Sequence, residues 1–315
     1  MTTTTAAPTA ASLDISAARA RGLRKVFGAT VAVDGIDLDV PVGSVLGMLG
    51  PNGSGKTTLI RMLLGLTPPT SGSVELLGYA VPEAALPYVG ALVEGPGFHP
   101  FLSGRENLLR AAAAEPLLAT RHIPDVVGTA LERVGLAAAA DRRYRGYSLG
   151  MKQRLGLAAA LLIPRRLVVL DEPTNGLDPA GTRDVRRIIG ELHAAGATVI
   201  VSSHLLAEVE ATCTHVAVLQ SGALVAAGEL ATLLDTGSGG LVVATPDVEL
   251  ALNTLRGVDA TVYRADGSAD EIVVSDGPPT PEVIALLVRA GVAVYEARRS
   301  RTNLEELFAR LTEES

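Results

Sequence analysis

The stretch "SVLGMLGPNGSGKTTLIRMLLGL", residues 44–66, passes from one kind of local structure into another. Its first part, "SVLGML", reads as β-like and its last part, "LIRMLLGL", as helical. Between them, Gly50 to Thr57 satisfy the spacing G-x-x-x-x-G-K-[ST] in full. Gly50, Gly53 and Gly55, with Pro51, Asn52 and Ser54 among them, let backbone N–H groups close around phosphates at a helix N-terminus. Lys56 reaches the outer phosphates, the Thr57 hydroxyl can ligate Mg²⁺, and Thr58 ends the segment expected to touch a nucleotide. With a strand before it and a helix after it, the stretch predicts an α/β fold organised around a bound phosphate chain.

A second stretch completes the chemistry. "LVVLDEP", residues 167–173, is an apolar strand ending in two acids, and in a parallel sheet the C-terminal strand ends gather at the ligand crevice. Asp171 is placed to hold Mg²⁺, directly or through water, and Glu172 to polarise the water that attacks a γ-phosphate. A solvated strand end is the plain alternative, and the phosphate loop upstream weighs against it.

From about residue 15 to 235 short β-rich runs alternate with helical stretches, the pattern of a mainly parallel sheet with covering helices. "AVDGIDLDV" alternates in the manner of an antiparallel strand, so an antiparallel β subdomain is expected beside that sheet. Between about 97 and 150 the strands stop, and "SGRENLLRAAAAEPLLA" and "PDVVGTALERVGL" read as a helical insertion. Residues 236–240 form a Gly/Ser linker. Residues 241–315 then read β-α-β-β-α-β, a small ferredoxin-like α+β accessory domain. Its two helices look like a repeat, Thr245-Pro246-Asp247-Val248 and Thr280-Pro281-Glu282-Val283, each with Thr expected as N-cap and Pro at the first helical position. A last helix is expected from the capping-box pattern at Thr302 to Glu305, and residues 1–14 read as a disordered tail.

The chain has 315 residues, is 48% hydrophobic, and carries a formal net charge of −7. That balance opposes a phosphate-backbone footprint, so nucleic acid is not expected as a partner. The single cysteine, Cys213, cannot form an internal disulfide, which fits a reducing compartment. No signal peptide is evident, and no apolar run reaches the roughly 18 residues needed to cross a bilayer; a cytoplasmic protein is expected.

Further motifs follow in order. "YSLGMKQRL", residues 147–155, opens an apolar run with Lys152, Gln153 and Arg154; "NGLDP" spans 175–179, and "IVSSHLLAEVE" spans 200–210. Over about residues 15–235 the chain resembles the ATP-binding subunits of ABC transporters. The family's signature is usually L-S-G-G-Q; here Ser148 and Gly150 are kept and Leu149 replaces the first of the paired glycines. The resemblance implies that Ser148, Leu149 and Gly150 act on the γ-phosphate of a partner's ATP, with Asp178 in the D-loop and His204 as the switch histidine. It implies a homodimer with two shared sites, and ATP and Mg²⁺ as cofactors. Phe27 falls where the family stacks an aromatic on adenine, though it fits a core or surface position as well. Glu94 stands where most relatives carry a metal-contacting Gln; a carboxylate can ligate Mg²⁺ but cannot donate a hydrogen bond.

The wording "EGPGFHPFLSGRENL" (94–108), the signature and "RTNLEELFARLT" (301–312) resemble the exporter ATPases of the bacitracin and daunorubicin resistance type. The resemblance implies a separate ABC-2 type membrane permease, a drug, antibiotic or lipid-like cargo, and a place on the inner face of the cell membrane. A soluble ABC ATPase acting on ribosomes or DNA is the alternative, and a binding module slowed by Glu94 and Leu149 a weaker one. The ribosome-acting relatives generally join two ATPase domains and the DNA-repair relatives insert a long coiled coil, and this chain reads as neither.

Overall fold

The computed structural model describes residues 16–93, 97–234, 240–258, 260–265, 268–299, 304–305 and 307–308. It divides into two units, Met1–Glu229 and Leu230–Ser315, a division that falls ahead of the linker expected at 236–240.

The first unit opens with β1 (Ser16–Phe27) and β2 (Thr30–Pro41). In β2 the buried residues Ile36, Leu38 and Val40 alternate with exposed ones, as in a strand covered on one face. β3 (Val45–Leu49) is buried at every position, the mark of a strand covered on both faces. It feeds the glycine loop into α1 (Lys56–Leu63), after which β4 (Ser71–Leu76) returns to β1. β5 (Val89–Leu92) precedes the helical insertion, which holds α2 (Gly104–Ala113) and α3 (Ile123–Arg133). α2 begins with a capping box in which Ser103 and Glu106 satisfy each other's backbone N–H.

The chain re-enters the core through α4 (Leu149–Ala160) and β6 (Leu167–Asp171), then α5 (Pro179–Ala194), β7 (Thr198–Ser203), α6 (Leu206–Thr212), β8 (His215–Gln220) and β9 (Ala223–Glu229). The core sheet has the order β5-β6-β7-β3-β8-β9, parallel except for the terminal β8–β9 hairpin. A separate antiparallel sheet, β2-β1-β4, lies beside it. Leu23, Ile36, Met48, Leu59, Ile60 and Leu63 join the two sheets and α1 in one buried cluster. Cys213 packs toward Gly47 of β3, and burial pushes its thiol up to about 12, which makes it inert.

The second unit holds α7 (Leu230–Leu234), β10 (Leu241–Ala244), α8 (Val248–Arg256), β11 (Thr261–Arg264), β12 (Glu271–Asp276), α9 (Thr280–Arg289) and β13 (Glu296–Arg299). Its sheet, ordered β11-β12-β10-β13, is antiparallel throughout, the arrangement a split β-α-β unit gives. Neither threonine of the repeat takes the N-cap expected for it. The N-cap of α8 is Asp247, because the Thr245 hydroxyl accepts the Asp247 N–H in a turn before the helix. α9 starts one residue earlier than expected, with Pro279 as N-cap and Thr280 already helical. Thr302 and Asn303, proposed to start a last helix, lie outside the described residues, as do residues 1–14.

Two glycine substitutions separate close packing from backbone freedom. A Cβ on Gly90 of β5 would stand 2.2 Å from the Ala160 carbonyl at the end of α4, and backbone cannot yield cheaply, so Gly90→Ala should cost about 2 kcal/mol or more. Gly190, exposed within α5, meets nothing within 4 Å, so Gly190→Ala should stabilise by about 0.5–1 kcal/mol. Urea midpoints of the two variants should therefore move in opposite directions.

Candidate nucleotide-binding and hydrolysis site

The glycine loop is shaped by main-chain contacts. Gly50 has φ 152°, and a Cβ there would stand 2.3 Å from the Leu219 carbonyl. Gly55 has φ 103° and caps α1 without a side-chain bond; a Cβ on it would stand 2.5 Å from the Ala32 carbonyl. The Gly222 N–H donates to the Ser54 carbonyl at 3.1 Å, and the Asp34 N–H to the Gly222 carbonyl at 2.9 Å. The Ser54 side chain is buried beside Gly50, and its hydroxyl has no partner within the described chain. An orphaned hydroxyl and an uncapped helix start with no acid in its first turn suit an anion.

Lys56 is 6% exposed. Its Nζ donates to the Gly50 carbonyl at 2.6 Å and to the Pro51 carbonyl at 3.2 Å, and lies 3.9 Å from Glu172 Oε1. Burial pulls its ammonium below the ordinary lysine value, and the Glu172 and Asp171 carboxylates oppose that shift.

The acids meet the loop at the end of β6. Thr57 Oγ1 donates to Asp171 Oδ2 at 2.8 Å. Ser202 Oγ donates to Asp171 Oδ1 at 2.5 Å and accepts the Glu172 N–H at 2.8 Å. Glu172 turns the chain sharply, with φ 47°, a conformation that costs a non-glycine residue about 1–3 kcal/mol and persists only where its surroundings over-determine it. His204 Nδ1 lies 2.9 Å from Glu172 Oε2. Lys56, Thr57, Asp171, Glu172 and His204 thus converge on one place.

A second cluster surrounds the start of α4. Ser148 is its N-cap, accepting the Met151 N–H at 3.2 Å and keeping its own O–H as a donor. Leu149 is 62% exposed and covers Gly176 so closely that a Cβ there would stand 2.4 Å from Leu149 Cδ2. Asp178 is the N-cap of α5, accepting the Gly181 N–H, and its Oδ1 lies 3.6 Å from Arg154 Nη2. The cations of this stretch are therefore engaged within their own chain, Arg154 by Asp178 and Lys152 over the Tyr144 ring. Phe27 lies apart, 52% exposed at the end of β1 with Lys25 Nζ 4.9 Å from its ring centre. Glu94 lies outside the described residues.

Sequence reasoning missed two polar residues. Ser202 was available to it, since "SS" closes an apolar strand much as Asp-Glu closes β6. Gln153, whose Nε2 donates to the Glu172 carbonyl at 3.0 Å, carried no such signal, because its partner is a backbone atom on another element. Among the described residues no group of three or more His, Cys, Asp or Glu could hold a metal. The Thr57 hydroxyl and Asp171 carboxylate, already 2.8 Å apart, instead suit Mg²⁺, which takes few protein ligands and completes its shell with phosphate oxygens and water.

Residues 33–175 match the family model described as ABC transporter. An uncharacterised ABC transporter ATP-binding protein of Bacillus subtilis strain 168, YdbJ, is 40% identical over 92% of this chain and 94% of its own length. The chain belongs to the ABC transporter ATP-binding proteins. The bacitracin transport ATP-binding protein BcrA of Bacillus licheniformis is 43% identical over 64% of the chain and 66% of its own length. A solved ATP-binding subunit of an ABC transporter superposes with TM-score 0.63 at 27% identity, covering 69% of this chain and 92% of that one. The α/β fold is therefore that of the ABC ATPases, and the chain is an ATPase of that family, an ATP-binding subunit of a transporter.

In this ABC ATPase, Ser202→Ala would leave Asp171 Oδ1 and the Glu172 N–H each short of a partner. We expect a stability loss of about 1–3 kcal/mol and a fall in ATP turnover of about tenfold. Urea unfolding and phosphate release measure the two effects separately, and a variant matching the parent in both would show that Ser202 organises neither acid.

Proposed function

We propose that two copies of this chain close on ATP and that hydrolysis reopens them, driving an ABC-2 type permease that exports a drug, antibiotic or lipid-like molecule. The observation that carries the reading is the convergence of Lys56, Thr57, Asp171, Glu172 and His204 at the phosphate loop. Thr57 and Asp171 would hold Mg²⁺, which when bound neutralises phosphate charge. Glu172 orients a water and takes its proton as the water oxygen attacks the γ-phosphorus, and the bond from that phosphorus to the bridging oxygen breaks to release ADP. Lys56 offsets charge on the transferred group. His204 holds Glu172 Oε2 and reaches the γ-phosphate.

Ser148, Leu149, Gly150 and Asp178 would complete the partner's site across a twofold axis, with Phe27 against adenine and Glu94 near the metal. Residues 241–315 would form an accessory domain that stabilises the dimer or fixes the pairing with the permease. BcrA, named for bacitracin transport, supports an antibiotic-type cargo. No helix among the described residues is long and apolar enough to cross a membrane, and we place the subunit in the cytoplasm against the inner face of the cell membrane.

Glu172→Gln should bind ATP normally and hydrolyse it about 10² to 10⁴ times more slowly. Tagged, trapped with ATP in its native cells and gently solubilised, it should bring down an integral membrane protein in near-equal amount; ribosomal or DNA-repair proteins in its place would overturn the transport reading. In the same Glu172→Gln background, Ser148→Arg should spare nucleotide binding to the monomer and abolish ATP-driven dimerisation in size-exclusion. A dimer that persists would count against the shared site.

A further inference from the structure

We propose that Gln153 is a positioning residue for hydrolysis, holding the peptide of Glu172 from the helix that carries Ser148. The inference rests on the reading of Glu172 as the hydrolytic base. Glu172, with Leu77 and Ser221, is one of the non-glycine residues at positive φ among those described. Such a geometry needs external support, and here both sides of the residue receive it. Its N–H is held at 2.8 Å by Ser202 Oγ from β7, and its carbonyl at 3.0 Å by Gln153 Nε2 from α4.

The two anchors differ in kind. Ser202 belongs to a strand buried at every position and paired on both sides by β3 and β6, so that anchor is fixed in the core. Gln153 is half-buried on the second turn of α4. The N-terminal end of the same helix presents Ser148, Leu149 and Gly150, the last two packed on the Gly176 loop, and Arg154 on the second turn lies beside Asp178. A displacement of α4 therefore pulls one end of the Glu172 residue while the other stays put, which turns its carboxylate against His204 and Lys56. Each chain's hold on its partner's nucleotide then sets the aim of its own base. The role needs a neutral N–H donor at position 153; a carboxylate there would face the Glu172 carbonyl with acceptor atoms only.

The test is a double-mutant cycle on the full-length chain, with Gln153→Ala and the nearly isosteric Gln153→Glu each made with Glu172 intact and with Glu172→Gln. With Glu172 present, kcat for ATP should fall about tenfold while KM stays within about twofold. In the Glu172→Gln background the same changes should alter the residual turnover less than about twofold, since the group they aim is gone, and ATP-driven dimerisation should survive. Equal losses in both backgrounds, or lost dimerisation, would show that Gln153 merely supports the helix and would overturn the inference. An unchanged kcat in Gln153→Ala beside a disabled Glu172→Gln would overturn this inference alone, whereas near-normal turnover in Glu172→Gln would remove the base itself.

Discussion

One hydroxyl, Ser202 Oγ, spans the two acids at the end of β6, donating a hydrogen bond to Asp171 and accepting one from the N–H of Glu172. It can do so because three parallel strands end at one level: Met48 pairs with Ser202 across β3–β7, and Asp171 with Ser202 across β6–β7. A slip of one residue in either pairing would turn every side chain of the strand to the other face. Register is thus the constraint that brings the glycine loop and the acids together, along strands that are buried throughout, at Leu167 to Leu170 of β6 and Val199, Ile200 and Val201 of β7.

What could be read from the sequence was whatever a local pattern encodes. The loop's glycines, the two acids after an apolar run, and a switch from strands to helices between 97 and 150 all state their geometry within a few residues. The strand order β5-β6-β7-β3-β8-β9 was not legible, since it depends on contacts between distant segments. Neither was the bond from Gln153 to the Glu172 backbone. Nor were the partners of Lys152 and Arg154 legible, an aromatic ring and a carboxylate that come from other segments of the chain. Thr245 looked like an N-cap because the pattern Thr-Pro-acid fits one, but a turn within that tetrapeptide bonds first and moves the N-cap to Asp247.

The departure at Leu149 has a physical counterpart in its neighbour. A leucine in place of glycine needs room, and Gly176, at φ 74° and without a Cβ, provides it. The two positions form one packing unit, and the exposed leucine face adds apolar surface at the start of α4.

The glycine loop has a mould made of peptide groups. Ala32 and Leu219 contribute carbonyls, Gly222 an N–H, and Asp34 an N–H behind it. The side chains of Leu219 and Asp34 take no part in that role: Leu219 is buried in the core and Asp34 pairs with Arg24, so alanine at either position reports on packing or an ion pair and not on the cradle. Only a change to the main chain itself, such as a proline that deletes the N–H of Asp34, reaches the mould. What shapes the phosphate cradle is accordingly a backbone course, which side-chain truncation does not probe.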